Sequence, residues 1–271
     1  MSILDLARRV AEFDQVEPLN EASLLSLRDK VEPRVDIRFE TPDGMVMALA
    51  YAAGDAPVEV MVDPRFRLGG FGTRMVSAAL SDGETEFWAH GDLPGASRIA
   101  TKLKLVASRT LLILRLEFSG QVAPESVPPG ITLRAFRPGD EDAIVEVNGR
   151  AFAHHPEQGA MDRADLDRRM SSDWFDPAGL FVAEREGSIV GFHWTKIEGG
   201  VGEVYVVGID PSAQGGGLGK ALTARGLRHL QDAGVPEVIL YVEGENSAAL
   251  AVYRKLGFTE FKKDVLYTTT R

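Results

Sequence analysis

Cysteine is absent from all 271 residues, which excludes disulfides, thiolate nucleophiles and cysteine-based metal sites. No apolar run reaches the ~18–20 residues needed to span a bilayer. The opening MSILDLARRVAEF has the spacing of a short amphipathic helix and lacks the long apolar core and cleavage site of a signal peptide. Basic charge is short as well. The chain has 30 Lys and Arg against 40 Asp and Glu, and a net charge of −10 argues against nucleic acid as the main partner. Its five histidines form no ligand set, since His154 and His155 are adjacent and no pair stands four apart. The expectation is a soluble, cytoplasmic, monomeric protein with no metal, membrane or nucleic-acid partner.

What is present divides into two halves. The segment from Ser119 to Gly130 holds three prolines and two glycines between apolar-patterned stretches and reads as a linker. The expected domains are therefore 1–118 and 131–271, joined by 119–130. Val60-Met-Val-Asp-Pro64 runs into Arg67-Leu-Gly-Gly-Phe-Gly72, and Val207-Gly-Ile-Asp-Pro211 runs into Gln214-Gly-Gly-Gly-Leu-Gly219. Asp63, Pro64, Gly70 and Gly72 recur as Asp210, Pro211, Gly217 and Gly219, a constant offset of 147. Around both motifs the periodicity predicts strands, a glycine turn and then a helix, strand, helix and strand. The first half has strands near 34–40, 45–52, 57–63, 84–89 and 109–118. The second has them near 131–136, 179–185, 188–197, 202–210, 237–242 and 258–269. This is an α+β pattern and not an alternating dinucleotide fold.

The stretch QGGGLGK, Gln214 to Lys220, asks what the backbone must approach so closely. A Walker A loop would need glycine where Gln214 stands and a hydroxyl where Ala221 stands. A G-x-G-x-x-G loop would need glycine at Lys220 or at Leu222. Neither fits. Gln-x-x-Gly-x-Gly between a strand and a helix resembles the pyrophosphate loop of the GCN5-related N-acetyltransferase superfamily. Its successive amides would meet phosphate at a helix N-terminus. A glycine turn that only allows tight packing is the plainer reading. Asn246, small residues, Tyr253 and Gly257-Phe258 resemble the superfamily's later pattern; the plainer reading makes Asn246 a helix N-cap and Tyr253 a core aromatic.

That resemblance implies two tandem acetyltransferase domains with acetyl-CoA as co-substrate. Each would be a mixed, mostly antiparallel sheet flanked by helices. The implied contacts are Val207, Gly208 and Ile209, the loop Gln214, Gly215, Gly216, Gly217, Leu218, Gly219 and Lys220, and Asn246. Strand alternation puts Glu203, Tyr205 and Val207 on one face. Glu203 is the expected base for an acceptor ammonium, directly or through water. Tyr253 is the expected acid for the leaving thiolate. The first half has Ala56 and Ala100 at the corresponding positions and Arg67 in place of the loop glutamine. It is expected to hold a second CoA or acetyl-CoA through Val60, Met61, Val62, Gly70 and Gly72 without catalysing.

The stretches His154–Gly159, Gly191–Lys196, Gly202–Gly208 and Leu240–Glu243, with Trp88-Ala-His90-Gly91 and Pro18–Glu21, resemble the mycothiol synthase family. That family acetylates the cysteinyl amine of a cysteine–glucosamine–inositol conjugate. The resemblance implies substrate contacts at Glu21, Glu157, Lys196, Glu203 and Tyr241, with Glu21 supplied by the first half. It assigns no chemistry to His193 and Trp194. Gly216 stands where the loop usually carries a basic residue. The alternatives are an acetyltransferase for another small amine or a peptide N-terminus, and a CoA-binding regulatory module.

Overall fold

The computed structural model describes residues 2–122, 124–154 and 158–270. In chain order the first elements are α1 Ile3–Asp14, α2 Glu21–Arg28, β1 Val35–Glu40, β2 Val46–Ala52 and β3 Val58–Val62. Next come α3 Phe71–Ser81, β4 Glu86–Ala89, α4 Pro94–Leu103 and β5 Leu105–Glu117. After the proline-rich segment follow β6 Thr132–Ala135, α5 Glu141–Ala151, α6 Arg163–Met170, β7 Leu180–Arg185, β8 Ser188–Glu198 and β9 Val201–Ile209. The last are α7 Leu218–Asp232, β10 Glu237–Glu243, α8 Ser247–Lys255 and β11 Thr259–Thr269.

These elements form two compact units. One comprises Met1–Leu112, Glu243–Glu245 and Lys262–Arg271, the other Ile113–Val242 and Asn246–Phe261. Strands β5 and β11 are thus each divided between the units.

In the first unit β1, β2 and β3 form an antiparallel meander, β4 runs parallel to β3, and β11 runs antiparallel to β4 with Val265 opposite Ala89. Strand β2 is apolar on both faces, so each face takes its own helix. Ala48 and Ala50 pack with Met75, Val76 and Ala79 of α3, while Leu49 and Tyr51 pack with Leu6, Ala7 and Val10 of α1. Helix α1 starts with a capping box between Ser2 and Asp5. Beside this core lies a charged cluster. The His90 ring nitrogens are 2.6 Å from Glu59 and 2.8 Å from Asp264, and the Gly91 amide donates to Asp264 at 2.7 Å.

The second unit repeats the plan. Strands β6 to β9 are antiparallel and β10 is parallel to β9. One face of β7 and β8 packs Leu180, Val182, Phe192 and Trp194 against Ile144 and Val147 of α5 and Leu166 of α6. The other packs Phe181, Ala183 and Val190 against Leu218 and Leu222 of α7. His193 belongs to this core: it is fully buried, its Nδ1 is 2.8 Å from the Leu222 carbonyl, and burial lowers it to about 4. A Cβ at Gly226 would lie 2.1 Å from its ring, so this helix position has no room for a side chain.

Two stretches differ in detail from the periodicity. Strand β5 begins at Leu105, four residues earlier than expected, because Lys104 in the left-handed conformation ends α4 and turns the chain straight into the strand. The proline-rich segment is held against α7: Gln231 bonds Gly120 and Val122, and Glu125 meets Arg225 at 3.4 Å and Arg228 at 2.6 Å.

Candidate active site

The loop after β9 is built by its own residues. Asp210 caps the turn through the Ser212 amide at 2.9 Å and receives Arg150 of α5 at 2.6 Å. Gln214 folds back, its amide nitrogen donating to the Ile209 carbonyl at 3.1 Å. Gly215 and Gly217 both have φ of +86°, a left-handed conformation in which a side chain is strained. An added Cβ at Gly215, Gly216 or Gly217 would meet nothing within 4 Å, so the space over the loop is open. The first backbone bond of α7 runs from the Ala221 amide to the Gly217 carbonyl. The amides before it have no partner within the helix and lie beside that space. Open room, adjacent donors and a 15-residue helix behind them suit a diphosphate. Leu218 contributes its backbone only, since its side chain is buried in the core.

The strand leading to the loop is paired on one edge and open on the other. Strand β10 pairs with β9 only at Gly202 and Glu203. Among the described residues no ladder pair joins β9 to β10 beyond Glu203. The Asp210 amide bonds the Val190 carbonyl, so by antiparallel alternation Gly208 faces β8 while Val207 and Ile209 turn their backbone groups to the free edge. That is where a thioester carbonyl would find an amide donor.

Glu203 stands directly opposite Lys196 on β8, and Ile239 of β10 is its partner on the other side. Paired residues share a face, as do residues two apart along a strand. Lys196, Glu203 and Tyr241 therefore project from one face of the sheet, and Tyr205 joins them, its ring 5.6 Å from the Lys196 ammonium. Val207, opposite His193, lies on the other face, against the alternation expected from the sequence. The register shifts between Trp194 and Thr195, which face Val206 and Val204, so Tyr205 is the extra residue of a β-bulge. Lys196 is buried; its ammonium lies 5.0 Å from the Trp174 ring centre and 3.0 Å from Glu198. Tyr241 is half exposed.

Tyr253 lies in α8, edge-on to Phe258 with centroids 5.9 Å apart. Burial pushes its hydroxyl up to about 12. Asn246 caps this helix by accepting from the Ala249 amide at 3.1 Å, which leaves its amide group available. Glu21 is the exposed first residue of α2, in the first unit. Glu157 lies outside the described residues.

The first unit has the same loop geometry with different residues. Asp63 caps through the Arg65 amide at 3.0 Å and receives Arg9 of α1 at 2.8 Å. Leu68 and Gly70 take the left-handed positions of Gly215 and Gly217. Among the described residues strand β4 pairs with β3 at Val58 and Glu59, and the Asp63 amide bonds the Met47 carbonyl. Val60 and Val62 therefore turn to an open edge as Val207 and Ile209 do, while Met61 faces β2 as Gly208 faces β8. Gly72 packs against Ile99 and Val62. Sequence reasoning did not single out Arg169 and Trp174, which surround Tyr205; neither carries a motif signal.

The chain as a whole resembles known proteins. The Acetyltransferase (GNAT) family matches residues 146–258. A protein named mycothiol acetyltransferase from Thermobispora bispora is 44% identical over 98% of this chain and 94% of its own length. One of the same name from Thermomonospora curvata is 46% identical over 98% of this chain and 92% of its own. Among solved structures, a GCN5-related N-acetyltransferase from Sphaerobacter thermophilus has a TM-score of 0.77 at 25% identity, covering 98% of this chain and 90% of that one. A tandem GNAT protein from the clavulanic acid biosynthesis pathway has a TM-score of 0.69 at 19% identity, covering 98% and 93%. The second likeness speaks for the fold.

Proposed function

This chain belongs to the mycothiol acetyltransferase family, within the GNAT acetyltransferases, and on that premise we propose that its second unit acetylates the cysteinyl α-amine of a cysteine–glucosamine–inositol conjugate, forming mycothiol. The protein is an acetyl-CoA-dependent N-acetyltransferase. The observation that carries the site assignment is the run Glu203, free strand edge, glycine loop along one continuous stretch of β9 and its turn.

Acetyl-CoA supplies the acyl carbon and the leaving thiolate, and the chain's residues do the rest. Amides from Gly215 to Lys220 hold the diphosphate, and the open edge at Val207 and Ile209 receives the thioester carbonyl. An α-amine with pKa near ~8 is mostly protonated at neutral pH. Glu203 takes its proton, directly or through a water, and frees the nucleophile. Tyr253, kept protonated by burial, gives its proton to the sulfur as the carbon–sulfur bond breaks. Glu157, Lys196 and Tyr241 are the proposed acceptor contacts. The loop of the first unit holds a second CoA without catalysis, because Ala56 and Ala100 replace the base and the acid.

A CoA-release assay across candidate amines tests the reading. The cysteinyl conjugate should be preferred over peptide N-termini and aminoglycosides. Equal turnover of all of them would remove the assigned acceptor.

A further inference from the structure

Beside Glu203 the second unit holds a group of side chains that the proton transfers do not use. Tyr205, the bulge residue two positions on, has its ring 5.0 Å from that of Trp174 and 5.6 Å from that of Trp194. Trp174 is half-buried on the segment that follows α6. Two cations flank the Tyr205 ring, with the Lys196 ammonium and the Arg169 guanidinium each 5.6 Å from its centre. Arg169 donates to the Tyr205 hydroxyl at 3.0 Å and meets no carboxylate among the described residues. Elsewhere in this acidic chain, Arg134, Arg150, Arg163 and Arg225 of the same unit each pair with one.

We infer that Arg169, Trp174 and Tyr205 form the part of the acceptor site that takes the hydroxylated rings, separate from the carboxylate that takes the amine. The inference rests on the acceptor proposed above and names where its sugar and cyclitol portion is read.

Three physical arguments carry it. First, a guanidinium has five N–H donors, and among the described residues Arg169 uses one, on the Tyr205 hydroxyl. A fork of donors beside two aromatic rings suits a ring that alternates C–H faces with hydroxyl oxygens. Second, the local charge sorts the two ends of the substrate. Arg169, which meets no carboxylate among the described residues, repels an ammonium, whereas Glu203 opposite Lys196 attracts it. The neutral, hydroxyl-rich end is left for Arg169 and Trp174. Third, the group is fixed in place before any substrate arrives. Tyr205 is held by its hydrogen bond to Arg169 and by Trp194, which is fully buried, so its orientation costs little on binding.

The test compares two acceptors in the full-length protein at saturating acetyl-CoA: the complete conjugate and L-cysteinamide, which keeps the amine and thiol but has no rings. For Arg169→Gln and Trp174→Leu, the ratio of kcat/KM for the conjugate to that for cysteinamide should fall at least tenfold. The loss should appear in the KM of the conjugate, with kcat changed less than twofold, and Trp174→Phe should recover most of it. An unchanged ratio, with both acceptors weakened equally, would overturn the inference and leave these residues a packing role. A wild-type protein that does not prefer the conjugate would instead overturn the acceptor assignment itself. Arg169→Lys keeps the charge and loses the fork, so full recovery by lysine would also count against a hydroxyl-reading guanidinium.

Discussion

Arg67 and Gln214 stand 147 positions apart and do the same work in their own units. Arg67 Nε donates to the Val62 carbonyl and Gln214 Nε2 to the Ile209 carbonyl, each at 3.1 Å. Each closes the turn that follows its strand. The arginine therefore preserves the loop closure of the glutamine it replaces and adds a second function. Its two terminal nitrogens fork onto Asp14 of α1, both at 2.6 Å.

Arg67→Gln should consequently keep the loop and lose the fork. The carboxylate of Asp14 is only 7% exposed, and stranding it costs ~1–3 kcal/mol. Urea unfolding should show that loss, while kcat/KM for acetyl transfer stays within twofold of wild type. A tenfold fall in kcat/KM with stability unchanged would mean that Arg67 serves the chemistry.

In the glycine loop, conformation and space make opposite demands. Gly217 has φ of +86°, so Gly217→Ala should cost ~1–2 kcal/mol of stability through strain alone. Gly216 has no such φ, and its Cβ would enter open space. Gly216→Arg should fold as well as wild type and lower the KM for acetyl-CoA severalfold, because it places a cation beside bound phosphates. The gain should shrink as salt is added. A KM that does not respond to salt would speak against a phosphate at this loop.

The two proton-transfer roles predict different signatures. Glu203→Gln removes the base and should lower kcat by ~10²–10⁴. Raising the pH should recover part of that loss, since the amine then loses its proton to solvent. Tyr253→Phe removes the acid and should lower kcat without recovery at high pH, because a phenol held at about 12 stays protonated throughout the assay range. Acetyl-CoA binding measured by calorimetry should change little in either variant. If both keep wild-type turnover, the roles are misassigned.

Which of these features could be read from the chain alone depends on how local their cause is. The glycine loop was legible because left-handed backbone at Gly215 and Gly217 selects glycine. The repeat was legible because Asp-Pro and the glycines keep one offset. Leu68 shows the limit. It takes the same left-handed geometry with a fully exposed side chain, and a leucine gives no sign of it. The facing of Lys196 and Glu203 depends on a bulge at Tyr205, which alternation does not reveal. The Glu59–His90–Asp264 cluster joins residues far apart in the chain, and no local period encodes it. Arg169 and Trp174 have ordinary neighbours, and only the fold brings them to Tyr205.

The His90 cluster gives the first unit a pH dependence whose sign can be worked out. Burial disfavours a charged imidazole, but hydrogen bonds from both ring nitrogens to Asp264 and Glu59 outweigh it and raise His90 to about 9. The other charged groups nearby are Asp92, held by Lys263 at 2.9 Å and by the Tyr267 hydroxyl at 2.8 Å, and Arg109 over the Trp88 ring that stacks on His90. Tyr267 is raised to about 12, above the relevant range. An unfolded histidine titrates near 6.5, so the folded form binds its proton more tightly. The stabilisation is complete below about pH 6.5, declines as pH rises, and is gone above about 9. A difference of that size corresponds to on the order of 3 kcal/mol. Cysteine adds nothing in this window, since the chain has none, and His193, lowered to about 4, acts below it. Urea midpoints measured from pH 6 to 9.5 should fall for wild type, while His90→Gln should start lower and stay nearly flat. Parallel slopes for the two proteins would show that the alkaline loss comes from some other group.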